Sequence, residues 1–431
     1  MDKTKILEIL NDWNYWAKEP PATIDRELYG EKIAQYMKKD EVVVIKGVRR
    51  CGKSTLMINQ IKRLIAKGVS TNNILFVNLE DPRFINHLSL ELLEEIKEVY
   101  LEILSPDVKP YIFLDEVQNI PSWEKWVNKE YELKLSYLTL SGSNSSLLSS
   151  EISSALSGRY ISVMVYPLSF KEYLHFKELR VTSTLDLISK KLEINRAFTA
   201  YMNDGGFPKV LEYDQPNKRE LLISYKDSIL LKDIVARFKL KNFTILEDIA
   251  AFVLANSPLI QSVNKLKNNF SISYDMARDY LDYLQKAYML FAIKKFDYSL
   301  KKQNVNDKKY YTIDIGLSHI FRVANKEFYG ADLENIVFLE LLRRGFKLYY
   351  YKTANDLEID FIVEKDRKII ELVQVSKSLK NQKTLVRELL PFEKTCQELQ
   401  LKDVRRLIIT EDNSDIVDGA EIINIKEWLL I

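Results

Sequence analysis

Cysteine, histidine and glycine are all scarce in this 431-residue chain, at two, three and 12 residues. Two cysteines as distant as Cys51 and Cys396 build neither a disulfide framework nor a zinc-ligand pair, which points to a reducing, cytoplasmic setting. His87, His175 and His319 have no second histidine at ligand spacing, so a histidine-held metal is not expected. No run approaches the ~18 uncharged apolar residues of a membrane span, and residues 1–18 lack the apolar core of a signal peptide, so no membrane is expected as a partner. An excess of one charge is also missing. Lys plus Arg total 63 against 61 Asp plus Glu, a net of +2, which argues against a globally basic nucleic-acid binder. Any electrostatic footprint must be local. With so few glycines, a cluster of them marks backbone asked for something unusual.

Apolar residues at 46% and charged residues at 29% suffice for buried cores and a solvated surface, and the length suggests two to four domains of about 150 residues. From Glu41 to Pro167, short apolar runs alternate with helical stretches: Val42 to Ile45, Ile74 to Val77, Tyr111 to Leu114, Tyr137 to Leu140 and Ile161 to Val165. Continuous apolar strands with helical crossovers predict a parallel sheet buried on both faces, a three-layer α/β domain.

Gly47-Val48-Arg49-Arg50-Cys51-Gly52-Lys53-Ser54, followed by Thr55, fits G-x-x-x-x-G-K-[ST] at every fixed position. It follows a predicted strand and precedes an amphipathic helix with Leu56, Met57, Ile61, Leu64 and Ile65 on one face. A strand, a glycine turn and a helix N-terminus gather backbone N–H groups around a polyphosphate such as that of ATP. Lys53 then reaches the terminal phosphates and Ser54 ligates Mg2+. Tyr111-Ile112-Phe113-Leu114-Asp115-Glu116 is an apolar strand ending in two acids. Asp115 suits the Mg2+ shell, and Glu116 suits polarising an attacking water. At the end of the next strand, within Ser141-Gly142-Ser143-Asn144, Asn144 or Ser143 could position that water; a helix cap is the competing role. Arg159, beside Gly158, is a cation for a γ-phosphate of its own or a neighbouring chain, or a surface ion-pair partner.

Together these residues resemble the AAA-like P-loop ATPases of bacteria and archaea that are fused to a restriction-endonuclease-like C-terminal domain. Further segments carry the resemblance: Asn78-Leu79-Glu80-Asp81-Pro82-Arg83-Phe84, Leu156-Ser157-Gly158-Arg159-Tyr160, Pro167-Leu168-Ser169-Phe170-Lys171-Glu172, Gly205-Gly206-Phe207-Pro208 and Leu333-Glu334-Asn335-Ile336-Val337-Phe338. The resemblance implies P-loop, metal and catalytic-acid roles for Lys53, Ser54, Asp115 and Glu116, and a first-sensor role for Asn144. It implies an arginine-finger role for Arg159, and with it an ATP site completed between copies in a homo-oligomer. The expected fold class is α/β, arranged as a P-loop NTPase parallel sheet with an N-terminal helical segment (1–168), a helical lid (169–245), a winged-helix-like module (246–313) and a restriction-endonuclease-like α/β domain (314–431).

The winged-helix expectation rests on two helices within Asn256 to Ile293 followed by strands Phe291 to Lys295 and Lys308 to Ile313, joined by a polar loop. The exposed face of the second helix carries Asp275, Asp279 and Asp282 against one Arg278, which would repel phosphates. A wing holding Lys294, Lys295, Lys301, Lys302, Lys308 and Lys309 with Tyr298 and Tyr310 suits DNA or RNA better, although lysine-rich loops are commonly just solvated. In the last domain, Glu334, Asp360 and the Gln374-Val375-Ser376 strand follow the layout of a Mg2+-dependent nuclease. Gln374 stands in place of an acid and Ser376 in place of a lysine, while Lys377 should point to the opposite face, so nuclease activity is not expected. Glu334 is equally explained as a first-turn acid favoured by the helix dipole. The sequence thus predicts a Mg2+-dependent ATPase whose turnover moves attached modules. The alternatives are an ATP-controlled nucleic-acid-binding regulator with little turnover and an ATP-dependent nuclease.

Overall fold

The five apolar runs of the first 165 residues become strands β1 (Val42–Lys46), β2 (Ile74–Asn78), β3 (Tyr111–Asp115), β4 (Tyr137–Gly142) and β5 (Tyr160–Met164). The computed structural model describes residues 1–144, 156, 158–322 and 328–430, in two units, Met1–Val165 and Tyr166–Ile431. In the first unit all five strands run parallel in the order β2-β3-β4-β1-β5. β4 therefore lies between β1 and β3, and the carboxyl ends of these three strands open side by side. Crevices of this kind, where strand order departs from chain order, are where ligands bind in such sheets.

Helices α1 (Lys3–Trp13), α2 (Glu27–Met37), α3 (Lys53–Ala66), α4 (Leu90–Leu104) and α5 (Trp123–Glu132) cover the sheet. One apolar cluster joins Ile6, Ile9 and Leu10 of α1 and Leu93, Ile96 and Tyr100 of α4 to Val77, Ile112 and Leu140 of the strands. β2 is an edge strand, and the segment after α1 blunts it. The Asn14 amide donates to the Phe76 carbonyl at 2.9 Å and accepts from the Phe76 N–H at 2.7 Å, and Trp16 Nε1 donates to the Ile74 carbonyl at 2.9 Å. Side chains thus satisfy ladder groups that an open edge would leave for another chain.

The second unit holds a nine-stranded mixed sheet: β6 (Leu259–Gln261), β7 (Leu290–Lys295), β8 (Lys308–Thr312), β9 (Lys347–Lys352), β10 (Glu358–Lys365), β11 (Lys368–Val375), β12 (Arg405–Thr410), β13 (Asp415–Val417) and β14 (Ala420–Asn424), in the order β13-β14-β12-β11-β10-β9-β7-β8-β6. β7 pairs in parallel with β9, Lys294 opposite Tyr349 and Lys295 opposite Tyr350, so the sheet runs without a break across the expected boundary at 313. The expected boundary at 245 also falls inside this unit, within the helix Phe243–Ala255. Helices Val263–Phe270 and Tyr274–Lys286 lie where two were expected. The connection between β7 and β8 is not a polar loop throughout, since it carries the helix Leu300–Val305. The helix Gln382–Leu399 had no counterpart in the sequence reading; Pro391 sits inside it, and a proline there removes one helical N–H and masks the pattern.

Segments singled out above meet within this unit. Ser169 and Glu172 form a capping box that starts the helix Phe170–Phe176. The Leu168 N–H donates to the Gly206 carbonyl at 2.7 Å, and a Cβ on Gly206 would lie 2.5 Å from the Leu168 carbonyl oxygen, so only glycine fits. The Gly206 and Leu317 N–H groups donate to the Asp314 carboxylate at 2.6 and 3.3 Å. Removing that carboxylate in Asp314→Ala strands buried donors and should lower the unit's unfolding free energy by about 3 kcal/mol, measurable by denaturant unfolding. Burial pushes the Asp314 carboxyl up to about 6 against these N–H bonds. An acid raised on folding favours the folded state when protonated, so this contribution is present at low pH and is lost as pH rises from about 4 to about 6. Asp314→Asn should abolish that part of the pH slope; an unchanged slope would remove Asp314 as its source.

Candidate nucleotide site

The loop after β1 takes a path that its glycines permit. A Cβ on Gly47 would lie 2.2 Å from the Val165 carbonyl oxygen, and Gly52, which caps α3, has φ +99°. Val48 and Cys51 are buried beneath the loop, and burial pushes the Cys51 thiol up. Arg26 donates to the Cys51 carbonyl at 3.0 Å, tying the segment before α2 to the loop. Arg49 pairs with Glu80 at 2.7 Å, and Arg50 takes a left-handed conformation with φ +71°. Lys53, Ser54 and Thr55 then form the first turn of α3, whose positive end favours an anion.

The expected metal and catalytic residues converge here. Ser54 Oγ donates to Asp115 Oδ2 at 2.6 Å, and Ser141 Oγ donates to the other Asp115 oxygen. Ser141 Oγ also accepts from the Glu116 N–H at 3.0 Å, which fixes the turn where Glu116 sits at φ 56°. Lys53 Nζ lies 3.3 Å from Glu116 Oε1 and donates to the carbonyls of Gly47 and Val48 at 3.1 and 3.2 Å. Gln118 Nε2 donates to Glu116 Oε2 and, at 3.3 Å, to Ser143 Oγ. Burial and the adjacent Glu116 push the Asp115 carboxyl above the usual range. Burial acts the same way on Glu116, but Lys53 and Arg49 outweigh it and hold that carboxyl below its usual range. One acid is thus stripped of solvent beside two hydroxyls, and the other is held ionised by cations. The Ser54 hydroxyl and the Asp115 carboxylate are the pair suited to a divalent ion, hard oxygen donors facing one crevice.

Asn144 is fully buried just beyond the end of β4, on the same side of the sheet's edge as Asp115 and Glu116. Arg159 is placed elsewhere. Its carbonyl accepts from the Val42 N–H at the start of β1, so it lies at the amino ends of the strands, about 16 Å along β1 from the phosphate loop. There its guanidinium donates to Asn128 at 2.5 Å and pairs with Glu132 of α5. Ser157 of the same motif lies outside the described residues. Ser141, Gln118, Arg26 and the Arg49–Glu80 pair were not assigned roles from sequence. A hydroxyl on the strand beside Asp115 was visible for Ser141, whereas the other contacts depend on loops meeting.

In the second unit, the basic cluster expected for nucleic acid does not form as one patch. Lys294, Lys295, Lys301, Lys302 and Lys308 are half-buried or exposed, but Lys309 is buried among carboxylates. The reason is topological: β8 has β7 on one side and β6 on the other, and its side chains are buried on both faces from Lys309 to Thr312. Tyr310 is buried and Tyr298 is exposed. On the helix Tyr274–Lys286, Arg278 pairs with Asp275 and Asp279, at 2.9 and 2.8 Å, which leaves that surface acidic. Glu334 and Asp360 do come together, while Gln374 is engaged otherwise. Its Oε1 accepts from the Asp360 N–H at 2.8 Å and its Nε2 donates to the Glu358 carbonyl at 3.1 Å. Ser376 is buried, and Lys377 lies over the Tyr329 ring at 4.9 Å. Among the described residues no helix is long and apolar enough to cross a membrane.

Residues 39–174 match the AAA domain family, residues 195–327 a domain of unknown function (DUF8612) and residues 329–428 another (DUF4143). An uncharacterized protein of Haemophilus influenzae is 32% identical over 421 residues, covering 95% of this chain and 99% of its own. The uncharacterized protein MJ1544 of Methanocaldococcus jannaschii is 33% identical, covering 91% and 86%. Among solved structures, the Walker-type ATPase PABY2304 of Pyrococcus abyssi aligns with 69% of this chain and 96% of its own, at a TM-score of 0.45 and 15% identity. With an AAA domain ahead of two domains of unknown function and relatives alike over nearly its whole length, the chain belongs to the family of these H. influenzae and M. jannaschii proteins.

Proposed function

We propose that the chain is a Mg2+-dependent ATPase whose turnover rearranges its attached modules in the cytoplasm. The observation that carries this reading is the convergence of Lys53, Ser54, Asp115, Ser141 and Glu116 at the carboxyl ends of β1, β3 and β4. The loop N–H groups and α3 would hold the polyphosphate, with Lys53 on its terminal oxygens. Ser54 and Asp115 would hold Mg2+, which when bound neutralises phosphate charge. Glu116, ionised and locked by Gln118 and the Ser141 hydroxyl, would accept a proton from the attacking water, and Asn144 would help to orient that water. In Glu116→Gln, ATP binding should persist while steady-state turnover falls by about 100-fold or more. Turnover equal to the parent's would remove Glu116 from the mechanism.

For the second unit, we infer a helical lid at 169–245, a winged-helix-like module at 246–313 and a restriction-endonuclease-like domain at 314–431, the last two sharing one sheet through the β7–β9 pairing. A nucleic-acid contact is the second reading, favoured by one surface feature: exposed Lys301 and Lys302 stand beside Tyr298 and Leu300, which are 70% and 73% exposed. Salt-dependent binding of DNA or RNA that is lost on neutralising Lys301 and Lys302 would support it.

A further inference from the structure

Lys309 occupies a place that a lysine side chain seldom tolerates. It lies on β8, a strand with neighbours on both sides, and its side chain is only 6% exposed. Its Nζ stands 2.6 Å from Glu334 Oε1, 2.7 Å from Glu358 Oε1 and 3.3 Å from Asp360 Oδ1. The three acids come from two elements, the helix Tyr329–Arg343 and β10. Tyr311, two residues along β8 and so on the same face, donates its hydroxyl to Glu334 Oε1 at 2.6 Å. The second Asp360 oxygen accepts from the Val375 N–H at 2.9 Å.

Carboxylates this close and this shielded repel one another and have lost solvation, so the cluster stands only with a cation among them. A divalent ion or an ammonium would both serve, and here the chain supplies the ammonium. The positive charge remains short of the negative. On β11, where a metal-dependent site would add another acid, Gln374 is engaged by backbone and by Glu388 at 3.2 Å.

We propose that Lys309 is a built-in cation that closes a latent divalent-metal site formed by Glu334, Glu358 and Asp360. The acid cluster is then held without metal, and metal-dependent hydrolysis at this place is shut off by the chain's own side chain. The inference rests on the restriction-endonuclease-like reading of the second unit and not on the ATPase reading.

The probe is Mn2+, followed by the spectroscopic signal of the free ion during titration of the full chain. The chains carry Asp115→Asn, which removes the carboxylate proposed above to hold Mg2+, and uptake by the second unit is read from the difference that Asp360→Asn makes. With Lys309 intact, no Mn2+ uptake attributable to the second unit is expected, and adding Asp360→Asn should change nothing. Lys309→Met should take up one Mn2+ per chain and melt at a temperature that climbs as Mn2+ is raised. Both effects should vanish when Asp360→Asn is added. Should Lys309→Met not fold, the charge-compensated pair Lys309→Met with Glu358→Gln keeps Glu334 and Asp360 and is read in the same way. Uptake by the Lys309 chain that Asp360→Asn abolishes would overturn the proposal, because the site would then be open. A folded Lys309-less chain that takes up no Mn2+ would overturn it equally.

Discussion

Lys53→Ala is expected to weaken ATP binding by roughly 100- to 1000-fold, more than the loss of one lysine–phosphate contact accounts for. The loop backbone and the α3 N-terminus stay in place, so a uniform collapse of the site is not the cause. The reason is Glu116. Its side chain is 8% exposed and its carboxylate lies 3.3 Å from the Lys53 ammonium, which with Arg49 keeps it ionised. Without Lys53, a shielded anion would face an incoming triphosphate with less charge to balance it. The two positions should therefore be coupled. Lys53→Ala with Glu116→Gln should bind ATP more tightly than Lys53→Ala alone, even though neither variant turns ATP over. Titration calorimetry on the parent, both single variants and the double variant measures that coupling directly. Parent-like affinity in Lys53→Ala would dismiss the site assignment, and simple additivity would dismiss the account of Glu116.

The first unit was legible because its signals are local. The β-branched runs at 42–45, 74–77 and 111–114 end where the strands end, within a residue or so. The phosphate loop fits its pattern because backbone geometry leaves only glycine at Gly47 and Gly52. Ser141 was harder to read: Ser141, Ser143 and Asn144 are all polar residues after an apolar strand, and only the register of β4 against β3 shows which one touches Asp115. The second unit was less legible because its organisation is long-range. Lys309 reads as one more wing lysine until β8 is known to be flanked on both sides and its interior face to meet Glu334 and Asp360. The same long-range pairing of β7 with β9 carries one sheet across the expected boundary at 313, which composition had no means to show.

Arg159 is the residue whose position says most about assembly. It stands at the amino ends of the strands, whereas Lys53 and Glu116 stand at the carboxyl ends, so it does not serve the phosphate site of its own chain. If it has a catalytic role, a second copy must bring it to that site. On that reading Arg159→Ala should bind ATP like the parent and lose about 1000-fold in turnover, as expected for a cation that acts on the transition state. Mixing decides where it acts. A Lys53→Ala subunit cannot use ATP but keeps Arg159, and an Arg159→Ala subunit keeps an intact phosphate loop. In a closed ring of the two in equal amounts, about one interface in four pairs a working loop with a working arginine, so turnover should rise to about a quarter of the parent's. No gain on mixing would sink the role in trans. Its local contacts, those with Asn128 and Glu132 among them, would then be its function, half-exposed pairs worth about 1 kcal/mol or less each, and Arg159→Ala would keep its turnover and lose only a little stability.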